Sequence, residues 1–246
     1  MIPPGKIISA ADNNGRMAII GEAPTGPIQP AIGNAPVTPG IPEIERHGGQ
    51  PCTAAVEAAR GRASEVGGDR AGGKAHLYRY DRRGLAVLAG GLLTSNGLAF
   101  SPDDAWLYWA DTPAHRIDRF AFDLDTGTLG ARALWKAFAP RTQGRLYGGR
   151  PDGACVDTRG HYWVAMYEGG CVLRLDPQGE VVQRIETPVR CPTMVCLGGE
   201  DLRTLYITSA AHGRPEEERR AAVPAGALMH CRVEVPGLPV NCFREA

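Results

Sequence analysis

The chain has 246 residues, 43% of them hydrophobic but only 7% aromatic, and its 27 Lys plus Arg match its 27 Asp plus Glu for a formal net charge of zero. Balanced charge supplies neither a positive field for nucleic acid nor an acidic solvating arm. No stretch approaches the roughly 20 apolar residues that cross a bilayer, and the opening MIPPGKIISAADNNGR lacks the apolar run of a secretory signal.

These features predict a soluble, cytoplasmic protein with a small-molecule partner, no nucleic acid and no membrane. Seven cysteines, at 52, 155, 171, 191, 196, 231 and 242, form an odd set without a C-x-x-C pair. That pattern fits reduced thiols, mostly buried as small hydrophobes, better than a disulfide framework or a zinc knuckle.

The first 77 residues hold nine prolines, thirteen glycines and no aromatic residue, whereas all sixteen aromatics lie at Tyr78 or later. Proline removes ladder donors and glycine adds nothing to a core, so residues 1–73 read as a divergent, poorly ordered segment before a domain spanning 74–246. Within that segment CTAAVEAARGRASEV has the Ala and Glu content of a short helix, interrupted by Gly61.

From Lys74 the pattern alternates with period two. Strands are predicted near 75–81, 85–90, 97–101, 106–111, 116–124, 131–138, 153–157, 162–167, 171–176, 181–186, 194–197, 204–209 and 226–235, divided by turn signals such as SPDD, DTGT, DTRG and DPQG. Three copies of one order then stand out: NGLAFS/WLYWAD/RIDRFAFD, DGACVD/YWVAMY/CVLRLD and TMVCLG/TLYITS/ALMHCRVEV, at periods of about 56 and about 42 residues. Short strands repeating at 40 to 55 residues are the signature of an all-β propeller, since a sandwich has no reason to repeat its turn chemistry in register.

In a propeller the first strand of each blade lines the central axis. Asn96 and Asp152 take the same place in adjacent copies, so an amide oxygen and a carboxylate oxygen are expected side by side, a hard donor pair suited to a divalent cation. Asn-Gly and Asp-Gly are also ordinary turn dipeptides, and on spacing alone that reading stands beside the metal reading.

The segments TSNGLAFSPDDAWLYWADTPAHRIDRFAFDLDTGTL, GGRPDGACVDTRGHYWVAMYEGGCVLRLDPQGEVVQRIETPV and CPTMVCLGGEDLRTLYITSA resemble the gluconolactonase, regucalcin and senescence-marker-protein family. The likeness runs from about Lys74 to the C-terminal PGLPVNCF. It implies a six-bladed type of β-propeller, here incomplete with about four blades recognisable, and a divalent cation (Ca²⁺, Zn²⁺, Mg²⁺ or Mn²⁺). It further implies Asn96 and Asp152 as metal ligands, Asp152 as general base, and a sugar lactone as the small-molecule substrate to be hydrolysed.

The departures from the family matter as much. Its N-terminal metal-binding glutamate has one echo, Glu22 in GEAP, set against the bland reading of an exposed acid in a Pro/Gly segment. DNNG at 12–15 precedes that glutamate where the family's sugar-contacting segment should follow it. A catalytically inactive, truncated propeller serving as a binding or interaction module is therefore the competing reading. An open array leaves an unpaired sheet edge, which invites a homodimer. Calcium buffering finds no EF-hand loop to support it.

The remaining residues have structural readings. His115, His161, His212 and His230 are expected as surface or packing histidines, Trp106, Trp109, Tyr162 and Trp163 as blade-to-blade core, and Arg214–Arg220 as a solvated mixed-charge loop.

Overall fold

A computed structural model describes residues 7–9, 18–20, 55–59, 75–81 and 84–239. The expectation that residues 1–73 are poorly ordered, and Glu22 and DNNG with it, falls outside the described residues apart from three short strands. Two of these, β1 (Ile7–Ser9) and β2 (Ala18–Ile20), pair antiparallel.

Four sheets follow in chain order, each a local antiparallel meander. The first contains β3 (Ala55–Ala59), β4 (Ala75–Asp81) and β5 (Gly84–Leu92). In the second, β6 (Ser95–Phe100), β7 (Trp106–Asp111), β8 (Arg116–Asp123) and β10 (Ala133–Ala137) lie in order, with β9 (Thr128–Leu129) paired to β8. The third has β11 (Arg150–Val156), β12 (Tyr162–Tyr167), β13 (Cys171–Leu175) and β14 (Val181–Glu186). The fourth has β15 (Pro192–Gly198), β16 (Thr204–Ser209) and β17 (Met229–Arg232). Among the described residues no strand pairing joins the fourth sheet to the first, and about four blades of a propeller stand in an open array.

Period-two alternation explains why the middle strands are apolar almost throughout. Successive side chains of a strand point to opposite faces, and a blade has a neighbour on each face. Leu107 and Trp109 join Ala75, Leu77 and Leu92 between the first and second sheets. Tyr108 and Ala110, on the other face of the same strand, join Tyr162, Val164 and Met166 between the second and third. Trp163 and Ala165 then meet Val195, Leu197, Leu205 and Ile207 between the third and fourth. A buried Trp removes about 150–250 Å² from water, about 4–6 kcal/mol of transfer free energy at about 25 cal/mol per Å². Trp106 departs from the core reading: it lies at the exposed start of β7, where the Arg119 guanidinium sits 4.4 Å above its ring.

Two further expectations are corrected. Residues 55–59, placed in a short helix by Ala and Glu content, form β3, since the free edge of β4 offers that backbone a ladder and a weak propensity yields to it. Within the supposed mixed-charge loop, Glu216–Arg219 form a one-turn helix, α1. Its ion pairs run Arg214–Glu218 at 2.7 Å and Arg220–Glu216 at 2.5 Å.

The end of the third sheet remote from the inner-strand starts is locked separately. Asp157, fully buried, accepts from the N–H of Arg159 and His161, from Trp163 Nε1 at 3.0 Å and from Arg174 Nε and its terminal nitrogen at 2.9 and 2.6 Å. No helix among the described residues is long and apolar enough to cross a membrane.

Candidate axial site

The inner strands β6, β11 and β15 carry the same irregularity. Each inserts one extra residue opposite its neighbour: Asn96 to Ala99 faces Ala110 to Tyr108, Pro151 to Ala154 faces Met166 to Val164, and Pro192 to Met194 faces Ser209 to Thr208. A bulge bends a strand and re-aims its side chains, and such bulges recur beside active sites. Asn96-Gly97 and Asp152-Gly153 therefore lie inside strands, not in the turns that the dipeptides alone allowed. This is why β6, β11 and β15 begin two or three residues earlier than the sequence pattern predicted.

The glycines report how the strands meet. Gly97 has φ +52°, and a Cβ there would come within 2.9 Å of the Asp152 carbonyl oxygen and collide with Tyr162 Oη. A Cβ on Gly153 would meet the Thr193 carbonyl oxygen at 2.7 Å and strike Met194 Sδ. In each case the glycine after one blade's donor receives the backbone carbonyl of the next blade's donor residue. Asn96, Asp152 and Thr193 thus occupy one repeated place on three inner strands packed side by side.

Antiparallel pairing sets what surrounds them. Ser95 pairs with Asp111, Arg150 with Tyr167 and Pro192 with Ser209, so the β7–β8 and β12–β13 turns rise at the same axial end. Asn96 Nδ2 donates to Thr112 Oγ1 at 2.7 Å, which fixes the amide so that Oδ1 faces away from that hydroxyl. Asp111 accepts the Leu93 and Thr94 N–H groups at 3.0 and 3.1 Å and pins the chain entering β6. Trp109 Nε1 donates to Ser95 Oγ at 2.6 Å. Between blades, Tyr162 Oη donates to the Gly97 carbonyl at 2.5 Å; burial raises the tyrosine's pKa and keeps its hydroxyl a donor.

Asp152 is 4% exposed and Asn96 is half-buried. Among the described residues no three His, Cys, Asp or Glu side chains converge as a metal cluster. Asn96 and Asp152 offer an amide oxygen and a carboxylate, hard donor types of the kind that suit a divalent cation such as Ca²⁺ or Mg²⁺. Sequence reasoning missed Thr112 and Thr193. Thr193 was recoverable, because aligning CPTM on RPDG sets it on Asp152; its hydroxyl bonds Thr208 Oγ1 at 2.8 Å. Thr112, at the far end of the neighbouring strand, left no such signal.

Of the histidines, His115 is more than packing. Its Nδ1 lies 3.0 Å from the Pro113 carbonyl, which can only accept, so Nδ1 carries the proton and Nε2 accepts from Tyr147 Oη at 2.7 Å. This joins the β7–β8 turn of the second sheet to the segment 138–149 that feeds β11.

Bulged inner strands packed side by side, each opening a small antiparallel sheet, define the class of protein as a β-propeller. A family model described as "SMP-30/Gluconolactonase/LRE-like region" matches residues 58–211, and the chain belongs to that family. It is 51% identical over 176 residues to a 6-deoxy-6-sulfogluconolactonase of Pseudomonas putida, covering 71% of this chain and 58% of that protein. It is 35% identical over 176 residues to pentonolactonase XacC of Haloferax volcanii, covering 70% and 58%. Among solved structures, a regucalcin from Agrobacterium tumefaciens described as a calcium-binding protein superposes with a TM-score of 0.68 at 26% identity, over 79% of this chain and 62% of that one. The chain spans about three fifths of the length of these relatives.

Proposed function

We propose that the protein hydrolyses sugar lactones at the axial site, with Asn96 and Asp152 as the protein ligands of a divalent cation and Asp152 as general base. The observation that carries this reading is the contact of Gly97 with the Asp152 carbonyl, because it brings the two donor residues of adjacent blades to one end of the axis. The matched relatives are named as lactonases, and ring opening of an aldonolactone is the chemistry their names share.

A bound cation would supply Lewis acidity, polarising the lactone carbonyl and stabilising the negative charge of the tetrahedral intermediate. Asp152 takes a proton from the attacking water as its oxygen bonds the carbonyl carbon. The ring C–O bond then breaks, and the proton passes to the departing ring oxygen, giving the hydroxy acid. Thr112 holds the amide of Asn96, and Tyr162 holds the peptide that follows it.

Asp152→Ala is expected to abolish lactone hydrolysis followed by acid release in a pH-stat, and a chelator to do the same to the unaltered protein. Activity that survives either treatment removes the assignment.

A second reading, a catalytically inactive propeller that serves as a binding module, draws support from the open sheet array and the three-fifths coverage of the relatives. Lactone turnover by the purified protein at the rate of a full-length relative contradicts it. Residues 1–73 are proposed as a divergent N-terminal segment, of which Ala55–Ala59 pair with β4 of the propeller.

A further inference from the structure

At the rim of the axial mouth two arginines share one carboxylate, in a chain whose net charge is zero. Arg150 opens β11, two residues before Asp152, and Arg141 lies in the segment that leads into it. Both guanidinium groups turn to a single carboxylate: Arg141 lies 3.3 Å from Glu168 Oε1 and Arg150 3.5 Å from Glu168 Oε2. Charge-assisted hydrogen bonds close to about 2.7–2.9 Å, so neither pair is a closed fork, and one carboxylate offsets only one of two cations. Arg150 Nε is buried and has no acceptor among the described residues. The nearby Arg214 is already neutralised by two 2.7 Å bonds to Glu218 and leaves the imbalance in place.

The two arginines are also held in position. The Arg141 guanidinium stacks 4.8 Å from the Tyr147 ring and that of Arg150 5.0 Å from Tyr167. Tyr147 is tied to His115, and Gly149 packs within 2.7 Å of Gly169 Cα, measured from the Cβ it lacks. The segment carrying Arg141 is thus pinned to the second sheet on one side and to the β12–β13 turn on the other. A strand rises about 3.3 Å per residue, which sets Arg150 roughly 7 Å along β11 from Asp152. That is comparable to the reach of an aldonolactone from its carbonyl to its far end.

We propose, resting on the lactone-hydrolase reading above, that the substrate carries a second, anionic group at the end remote from the lactone carbonyl, and that Arg141 and Arg150 bind it. The group is a sulfonate, a phosphate ester or a carboxylate; planar guanidinium forks recognise the oxygens of each. Glucono-δ-lactone, which has no such group, fills the carbonyl end of the site and leaves the rim unpaired.

The test compares kcat/KM for glucono-δ-lactone with that for its 6-phospho and 6-deoxy-6-sulfo analogues, and measures equilibrium binding of gluconate, 6-phosphogluconate and 6-deoxy-6-sulfogluconate by calorimetry. The anionic lactones are expected to exceed the neutral one by about tenfold or more. Arg141→Gln, an exposed position that folds readily, lowers that ratio by about tenfold. Arg159→Gln, which removes a charge from the opposite end of the blade, leaves the ratio where it was. Raising salt from about 0.01 M to about 1 M shortens the screening length from about 30 Å to about 3 Å and erodes the advantage of the anionic lactones alone.

Equal turnover of neutral and anionic lactones, with a ratio unmoved by Arg141→Gln, overturns the rim assignment and leaves the hydrolase reading standing. No turnover of any lactone, with anionic acids still bound more tightly than gluconate in an Arg141-dependent way, sustains the rim and sinks the hydrolase. Neither turnover nor preferential binding overturns both.

Discussion

Tyr162 shows how much one side chain does at the residue scale. Its ring fills the second–third interface beside Tyr108 and Trp135, with centroids 5.3 and 5.5 Å away, and its hydroxyl reaches across to the Gly97 carbonyl. Tyr162→Phe keeps the ring and leaves that buried carbonyl unpaired, a loss of about 1–3 kcal/mol. With a shift of about 2–4 °C in Tm per kcal/mol for a chain of this size, thermal denaturation should detect it. Because the freed peptide follows Asn96, metal affinity measured by calorimetry is expected to fall as well. An unchanged affinity would show that Tyr162 braces only the core. Gly97→Ala has no comparable tolerance, since its Cβ would enter the space of Tyr162 Oη and the Asp152 carbonyl at a left-handed φ.

At the scale of elements, the middle strands were legible because they are apolar on both faces and end in turn chemistry, whereas β9 lay at the end of the DTGT turn signal, outside every predicted strand. WLYWAD and YWVAMY announced β7 and β12 to the residue. The inner strands were legible in kind but not in length. A bulge spends one residue outside the ladder, so NG and DG carry the same letters as a turn, and only the approach of a neighbouring backbone, invisible in one sequence, tells the two apart. Asn96 and Asp152 were singled out through repeat position and resemblance; Thr112 and the rim arginines were not, since they depend on which turns rise beside which strand starts.

The Asp157 clamp tests the independence of the two ends of a blade. Asp157→Ala leaves the buried Arg174 and Trp163 donors without their acceptor and is expected to cost about 3–5 kcal/mol, read by urea denaturation. Asp157→Leu combined with Arg174→Met should recover much of that loss. Failure of the pair to do so would mean the backbone N–H groups of Arg159 and His161, not the guanidinium, hold the carboxylate's main role.

On the scale of the whole molecule, the fourth sheet is covered on one face only among the described residues. Val195, Leu197, Leu205 and Ile207 are buried against the third sheet, whereas Cys196 and Tyr206, their alternating neighbours, are exposed. Alkylation followed by peptide mapping at neutral pH should therefore mark Cys196 before Cys155 or Cys171. Burial pushes the Cys171 thiol up to about 11 and raises that of Cys155 further, so reaction at either should wait for strong alkali or unfolding. Protection of Cys196 in the native protein, lost on dilution, would reveal a second copy seated on that face.

The repeated contact between a glycine and the next donor's carbonyl separates scaffold from chemistry. The spacing of the inner strands is set at these glycines by the next strand's carbonyl and by Tyr162 and Met194, not by the side chain that precedes each glycine. An amide and an acid already precede such a glycine at 96 and 152. Single point changes at these positions are therefore expected to alter the donor set while leaving the stack of blades intact.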